Sequence, residues 1–196
     1  MASFQPRRIL GRWREGYALD LHTLSSTPIG HNEFGHMQFE TKRSELGELL
    51  YRLKYSAQEV AVEEIVDAMA QFIIGSWKQE VDLIVPVPPS NPRTLQPVIV
   101  LARALGERLR IPIAECLKRT REAPQLKNVY DIDERLRLLE GLYQVDSFAT
   151  QGKRIMLFDD LYRSGATMNA ITEALLDQGK AADVVALTVT RTRSHQ

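Results

Sequence analysis

The stretch Ile155-Met156-Leu157-Phe158-Asp159-Asp160-Leu161-Tyr162-Arg163-Ser164-Gly165-Ala166-Thr167 decides the fold. Four apolar residues in a row fit a strand buried on both faces, as in a parallel sheet covered by helices. After Thr167 the apolar spacing turns helical through Ile171, Ala174, Leu175 and Leu176. The stretch therefore predicts a strand-loop-helix unit, whose loop lies at the carboxyl end of the strand, where open α/β sheets hold their ligands. The first N–H groups of the following helix lack intrahelical partners and suit a phosphate. Gly165 allows close backbone approach, Ser164 and Thr167 add hydroxyls, and Arg163 adds a cation. Asp159 and Asp160 are expected to leave the strand just before this cradle, where carboxylates accept from vicinal sugar hydroxyls. A phosphosugar site results. The competing reading is a buried strand whose acids only cap the turn. A Walker phosphate loop is a poorer fit because no glycine-lysine-serine ending follows, and a dinucleotide fingerprint fails because the turn holds a single glycine.

The composition narrows the class. The 196 residues, 44% of them hydrophobic, suit one α/β domain, residues 1–196. Its 25 basic and 25 acidic residues cancel, so net charge gives no support for nucleic acid or an anionic membrane as partner. Cys116 stands alone, which excludes an internal disulfide, and its apolar flank Ile111 to Ala114 marks a buried thiol. No apolar stretch approaches membrane-spanning length, and a cytoplasmic location is the expectation.

Outward from the motif, residues 1–16 read as a basic arm carrying Arg7, Arg8, Arg12 and Arg14. A strand is expected from Gly16 to His22, pairing with Phe34 to Phe39 across the Pro28–Asn32 turn, so that residues 17–55 form a small hood and a first helix. The core is expected over 56–196. Helical spacing recurs through Leu46, Leu49, Leu50 and Leu53, through Val60 to Ile73, and through Leu95 to Leu105. Strands are expected at Asp82–Val87, Ile111–Cys116, Leu142–Val145 and Val184–Thr190. Residues 118–134 lack periodicity and read as a long, flexible, basic loop, either an active-site lid or a simple excursion. Lys54 reads as part of its helix's packing, its charge reaching solvent. His22, His31, His36 and His195 show no metal-ligand spacing.

Phe158 to Thr167 resembles the phosphoribosyl-pyrophosphate motif of type I phosphoribosyltransferases, and its Asp-Asp-Leu-Tyr opening looks like the ComF family. Supporting matches are Leu53-Lys54-Tyr55, Val85-Pro86-Val87-Pro88, Arg93 with Leu101-Ala102-Arg103, and Glu134-Arg135-Leu136. The chain departs from that pattern at four points. It lacks the cysteines of the N-terminal zinc ribbon. Arg93-Thr94-Leu95-Gln96-Pro97 stands for Arg-Gly-Phe-Asn-Gln, Leu138 for an asparagine, and Arg163 for a threonine. The resemblance implies a doubly wound parallel sheet with a small N-terminal β hood. It implies that Arg163, Ser164, Gly165, Ala166 and Thr167 hold the 5-phosphate and that Asp159 and Asp160 are the catalytic carboxylates at the ribose hydroxyls. Pro88, Pro89, Ser90 and Arg93 would line the pyrophosphate, Arg119, Arg121 and Lys127 would belong to a lid, and Mg²⁺ would be held mainly by the substrate, with no direct protein ligand. The implied function is transfer of phosphoribosyl from phosphoribosyl pyrophosphate to a nitrogen acceptor of unknown identity, with pyrophosphate release. The alternatives are a non-catalytic binder of phosphoribosyl pyrophosphate or a nucleotide, and a ComF-like DNA-uptake or repair accessory. A homodimer is one candidate assembly.

Overall fold

The computed structural model describes residues 2–56, 60–89, 95–122, 129 and 131–193. Its central sheet has the strand order β1-β2-β9-β8-β5, formed by Arg7–Arg8, Glu15–Leu21, Asp183–Arg191, Arg154–Tyr162 and Leu83–Pro86. β2, β9, β8 and β5 run parallel, and β1 closes one edge antiparallel to β2. Leu157 sits between Val85 and Ala186 in register, so the apolar run of β8 is the middle of the sheet. Four successive apolar residues are what a strand covered on both faces requires.

Strand alternation divides the core into two layers. Met156 and Phe158 face the cluster built on α1 (Glu45–Ser56), α2 (Val60–Phe72) and α3 (Pro97–Leu109). Ile155 and Leu157 face the cluster containing Ile171 and Leu175 of the helix Ala166–Asp177. Helices cover both faces of a parallel sheet. Pro97 occupies the first turn of α3, where its missing N–H is not needed. A π-helical turn, Ile73–Trp77, ends α2 and stacks Trp77 on Phe72.

Four sequence expectations are revised. The basic arm is not loose. Arg7 and Arg8 form a ladder with Ala18 and Tyr17, Ile9 and Trp13 are buried, and Arg12 and Arg14 pair with Glu173 and Asp183. The apolar Ile9 and Trp13, hidden among four arginines, outweigh the charge that drew the reading. Secondly, Glu15–Leu21 belongs to the main sheet; the hood is a separate hairpin, β3 (Thr23–His31) with β4 (Met37–Arg43). Residues 17–21 alternate as either kind of strand would, so periodicity did not choose the partner. Thirdly, the described residues of 118–134 hold regular structure. β6 (Leu117–Arg119) pairs antiparallel with β7 (Tyr143–Val145), and α4 spans Ile132–Leu139, opened by Asp131, whose side chain accepts from the Glu134 N–H. The strand expected at 111–116 is reduced to a bridge between Ile113 and Ile84, with the ladder displaced to 117–119. A short helix, α5 (Ser147–Thr150), follows β7, and the helix Ala166–Asp177 is α6. Among the described residues, no helix is long and apolar enough to cross a membrane.

Candidate functional site

The carboxyl ends of the four parallel strands converge at Leu21, Arg191, Tyr162 and Pro86. Beyond β8, the chain turns through Arg163, Ser164 and Gly165 into α6. Gly165 is the helix N-cap with φ +78°, and a Cβ there would lie 2.6 Å from the Tyr162 hydroxyl oxygen. The turn thus needs glycine for both its left-handed backbone and its lack of a side chain. Ala166 is buried, Ser164 and Thr167 are half-buried, and Arg163 is exposed at the rim. The Ala166 N–H reaches the Ser164 hydroxyl oxygen only at 3.5 Å, leaving it weakly engaged.

Asp159 and Asp160 lie within β8 rather than beyond it, because the strand runs on to Tyr162. Adjacent residues of a strand face opposite sides of the sheet. Asp160 follows Met156 and Phe158 toward the α1 layer, where the Lys54 ammonium lies 2.9 Å from its Oδ1. Asp159 follows Ile155 and Leu157 toward the α6 layer, and its charge is felt by the buried Tyr143 hydroxyl. Its Oδ1 also accepts the Asp160 N–H at 2.8 Å. Asp159 keeps some accessible surface, yet protein surrounds its carboxyl. Burial first, and the adjacent Asp160 charge second, hold that carboxyl well above the ordinary carboxylate range. Two neighbouring acids thereby acquire different environments.

His22 follows β2 at the same sheet edge, with its Nδ1 3.2 Å from the Thr190 hydroxyl. Burial, reinforced by the charges of Lys54 and Arg43, lowers its imidazole to about 4, so it is neutral at physiological pH. Gly47 permits this closeness, since a Cβ there would sit 2.2 Å from the His22 carbonyl oxygen. Helix α1 is pressed against the end of β2, and Lys54 is carried to the acids. Ser44 fixes that start, its hydroxyl donating to the Leu21 carbonyl and accepting the Gly47 N–H.

On the opposite side, Pro88 and Pro89 follow β5, half-buried, and the Arg119 Nη2 donates to both of their carbonyl oxygens, at 3.1 Å for Pro88. The Arg119 Nε is buried without a hydrogen-bond partner among the described residues. Arg121 donates through Nη2 to the Leu138 and Glu140 carbonyls, capping the end of α4. These two arginines, assigned to a lid from sequence, are thus engaged with backbone carbonyls. Ser90, Arg93 and Lys127 lie outside the described residues. Cys116 is buried, which pushes its thiol up to about 11 and leaves it inert.

The residues that sequence reading missed are Lys54, His22 and Tyr143. For Lys54 a signal existed. Leu46, Leu50 and Lys54 fall at i, i+4 and i+8, so the lysine continues the buried stripe of α1 rather than its wet face. His22 and Tyr143 carried no comparable pattern.

No protein-family model matches the chain. Over 144 residues, 74% of its length, it is 29% identical to the competence protein ComFC of Bacillus subtilis (strain 168). The chain spans 59% of that relative. Among solved structures, a crystal structure of adenine phosphoribosyltransferase superposes with a TM-score of 0.50 at 13% identity, covering 86% of this chain and 85% of that one. The fold is that of the type I phosphoribosyltransferases. The resemblance drawn from the residues Phe158 to Thr167 is therefore borne out at the level of fold, with ComF-like similarity in sequence.

Proposed function

We propose that this chain binds phosphoribosyl pyrophosphate at the carboxyl edge of its sheet and transfers the phosphoribosyl group to a nitrogen acceptor, releasing pyrophosphate. The observation that carries the reading is the Gly165 turn, which joins the strand bearing Asp159 and Asp160 directly to the start of α6, where the first N–H groups lack intrahelical partners. In this reading, phosphate donors and hydroxyl acceptors serve the two ends of one phosphosugar. The 5-phosphate would take the N–H groups and hydroxyls of Ser164 to Thr167, with Arg163 at its rim. The ribose hydroxyls would donate to the acids of β8. Departure of pyrophosphate builds positive charge on the ribose ring, and the fixed carboxylate of Asp160 stabilises it electrostatically. Asp159, with its proton affinity raised first by burial and then by the Asp160 charge, is the acid set apart from its neighbour.

Magnesium enters this reading as the substrate's companion. The site's donor set is two acids, one already holding Lys54 through one oxygen, and among the described residues no three His, Cys, Asp or Glu side chains converge on a point. Such a site suits an ion that takes most of its oxygens from phosphates and water. When bound, the ion would neutralise the leaving pyrophosphate beside the Pro88–Pro89 backbone. Similarity to a competence protein favours a second reading, in which the same pocket binds phosphoribosyl pyrophosphate or a nucleotide without turnover and serves DNA uptake. The separating experiment assays pyrophosphate release over a panel of bases, amides and ammonia, alongside binding by thermal shift. Binding with release in one acceptor lane supports the transferase. Binding without release across the panel favours the binder, and no binding refutes both.

A further inference from the structure

The Lys54–Asp160 pair is an unusual use of charge. Both side chains are nearly hidden, at 16% and 15% exposure. Removing a charge from water costs several kcal/mol, and a buried pair is seldom more stable than apolar residues of the same volume. The pair is thus poorly explained as a stabilising device. Its place in the fold is informative: it joins the last turn of α1, next to the hood, to the strand that carries both acids. Lys54 is also directed there by construction. Gly47 and Ser44 clamp the start of α1 onto the end of β2, and Leu46 and Leu50 bury the stripe that Lys54 extends. His22 is bound to Thr190 and lies near enough for the charges of Lys54 and Asp160 to act on its ring.

We propose that Lys54 is a positioning residue of the phosphoribosyl site, which anchors Asp160 through Oδ1 as a fixed anion facing the ribose. A carboxylate offers about four acceptor positions, so an anchored Asp160 still accepts from a sugar hydroxyl. The anchor also makes the acids inequivalent: one is tied to a cation, and the other has none within ion-pair distance among the described residues. Pairs of acids in divergent environments are how sites separate their roles. This inference rests on the function proposed above and adds a residue to it, delivered from the hood side of the molecule.

The test compares two probes, inorganic phosphate and ribose 5-phosphate, by calorimetric titration of the full chain. Phosphate alone engages the Ser164–Thr167 turn, whereas ribose 5-phosphate also engages the acids. Lys54→Met should weaken ribose 5-phosphate by about tenfold, the worth of a hydrogen bond to a charged group, and leave phosphate unchanged. Asp160→Asn should do the same, and the double variant should lose no more than either single one, since each breaks the same unit. If Lys54→Met leaves an unpaired buried acid and the chain fails to fold, the double variant, which removes both charges, carries the test. Ribose 5-phosphate binding at parental strength in either variant would overturn the proposal while leaving the proposed function standing. A parent that binds phosphate but gains nothing from the sugar would overturn both.

Discussion

Gly165→Ala separates the demands of the turn between β8 and α6 most sharply. At φ +78° a Cβ costs roughly 1–2 kcal/mol in backbone energy alone. The added methyl would also lie 2.6 Å from the Tyr162 Oη and 2.9 Å from its Cε2, so the ring must move. That ring is not free to do so. Its hydroxyl donates to the Leu10 carbonyl at 3.2 Å and its edge meets Trp13 at 6.3 Å between centroids. Losing that hydrogen bond adds about 1 kcal/mol, for a total near 2–3 kcal/mol. For a chain of this size, that lowers the melting temperature by roughly 4–12 °C. Differential scanning calorimetry measures the loss, and titration with ribose 5-phosphate measures the turn. Affinity should fall with stability because the N–H groups of Ala166 and Thr167 are displaced. Adding Tyr162→Phe should relieve only the hydroxyl's part of the clash, since the Cε2 and Cζ clashes and the φ strain persist. A Gly165→Ala protein as stable as the parent, with unchanged affinity, would refute the reasoning about the turn.

Asp159→Asn should remove a pH dependence. The folded-state pKa is raised above the unfolded value, so the parent's stability falls as pH rises from about 4 through the folded pKa. His22 acts in the opposite sense, losing stability as pH falls from 6.5 toward about 4, and is common to both proteins. The variant-minus-parent curve from urea denaturation should therefore rise with pH; a flat curve would reject the buried-acid assignment. Trp13→Ala, which empties a buried site donating to the Ile9 carbonyl at 3.1 Å, should cost about 3–5 kcal/mol and loosen the Arg7–Arg8 ladder so that trypsin cleaves there, checked by a proteolysis time course. Arg119→Ala should cost about 1–3 kcal/mol by freeing the Pro88 and Pro89 carbonyls, and titration should show pyrophosphate binding weakened with ribose 5-phosphate unchanged.

The sheet was legible because β8 and β9 are apolar on both faces, a pattern that a parallel sheet under two helical layers requires and a surface strand forbids. The turn was legible because a glycine flanked by hydroxyls at a strand-helix junction has few other uses. Partner choice was not legible. Glu15–Leu21 alternates equally well for a hairpin or a parallel edge, and the partner lies some 170 residues away in sequence, at Asp183–Arg191. The order in 118–134 was hidden because its short strand and capped helix are held by long-range contacts, such as Arg121 on the Leu138 carbonyl, rather than by apolar periodicity. Lys54 was misread because charge suggested solvent, whereas its place at i+8 from Leu46 and i+4 from Leu50 marked the buried stripe. The different faces of Asp159 and Asp160 follow from period two once β8 is known to reach Tyr162. The sequence reading ended that strand too early.

The central claim is that the edge formed by the ends of β8, β5 and β2 is a phosphoribosyl pyrophosphate site. Calorimetric titration of the full chain with magnesium and phosphoribosyl pyrophosphate tests it most directly, with Asp159→Asn/Asp160→Asn as the comparison. We predict saturable binding of one ligand per chain, stabilisation of roughly 2.7 kcal/mol at about a hundred times the dissociation constant, and loss of the ribose contribution in the double variant while phosphate binding persists. A folded parent that shows neither heat nor stabilisation would contradict the account.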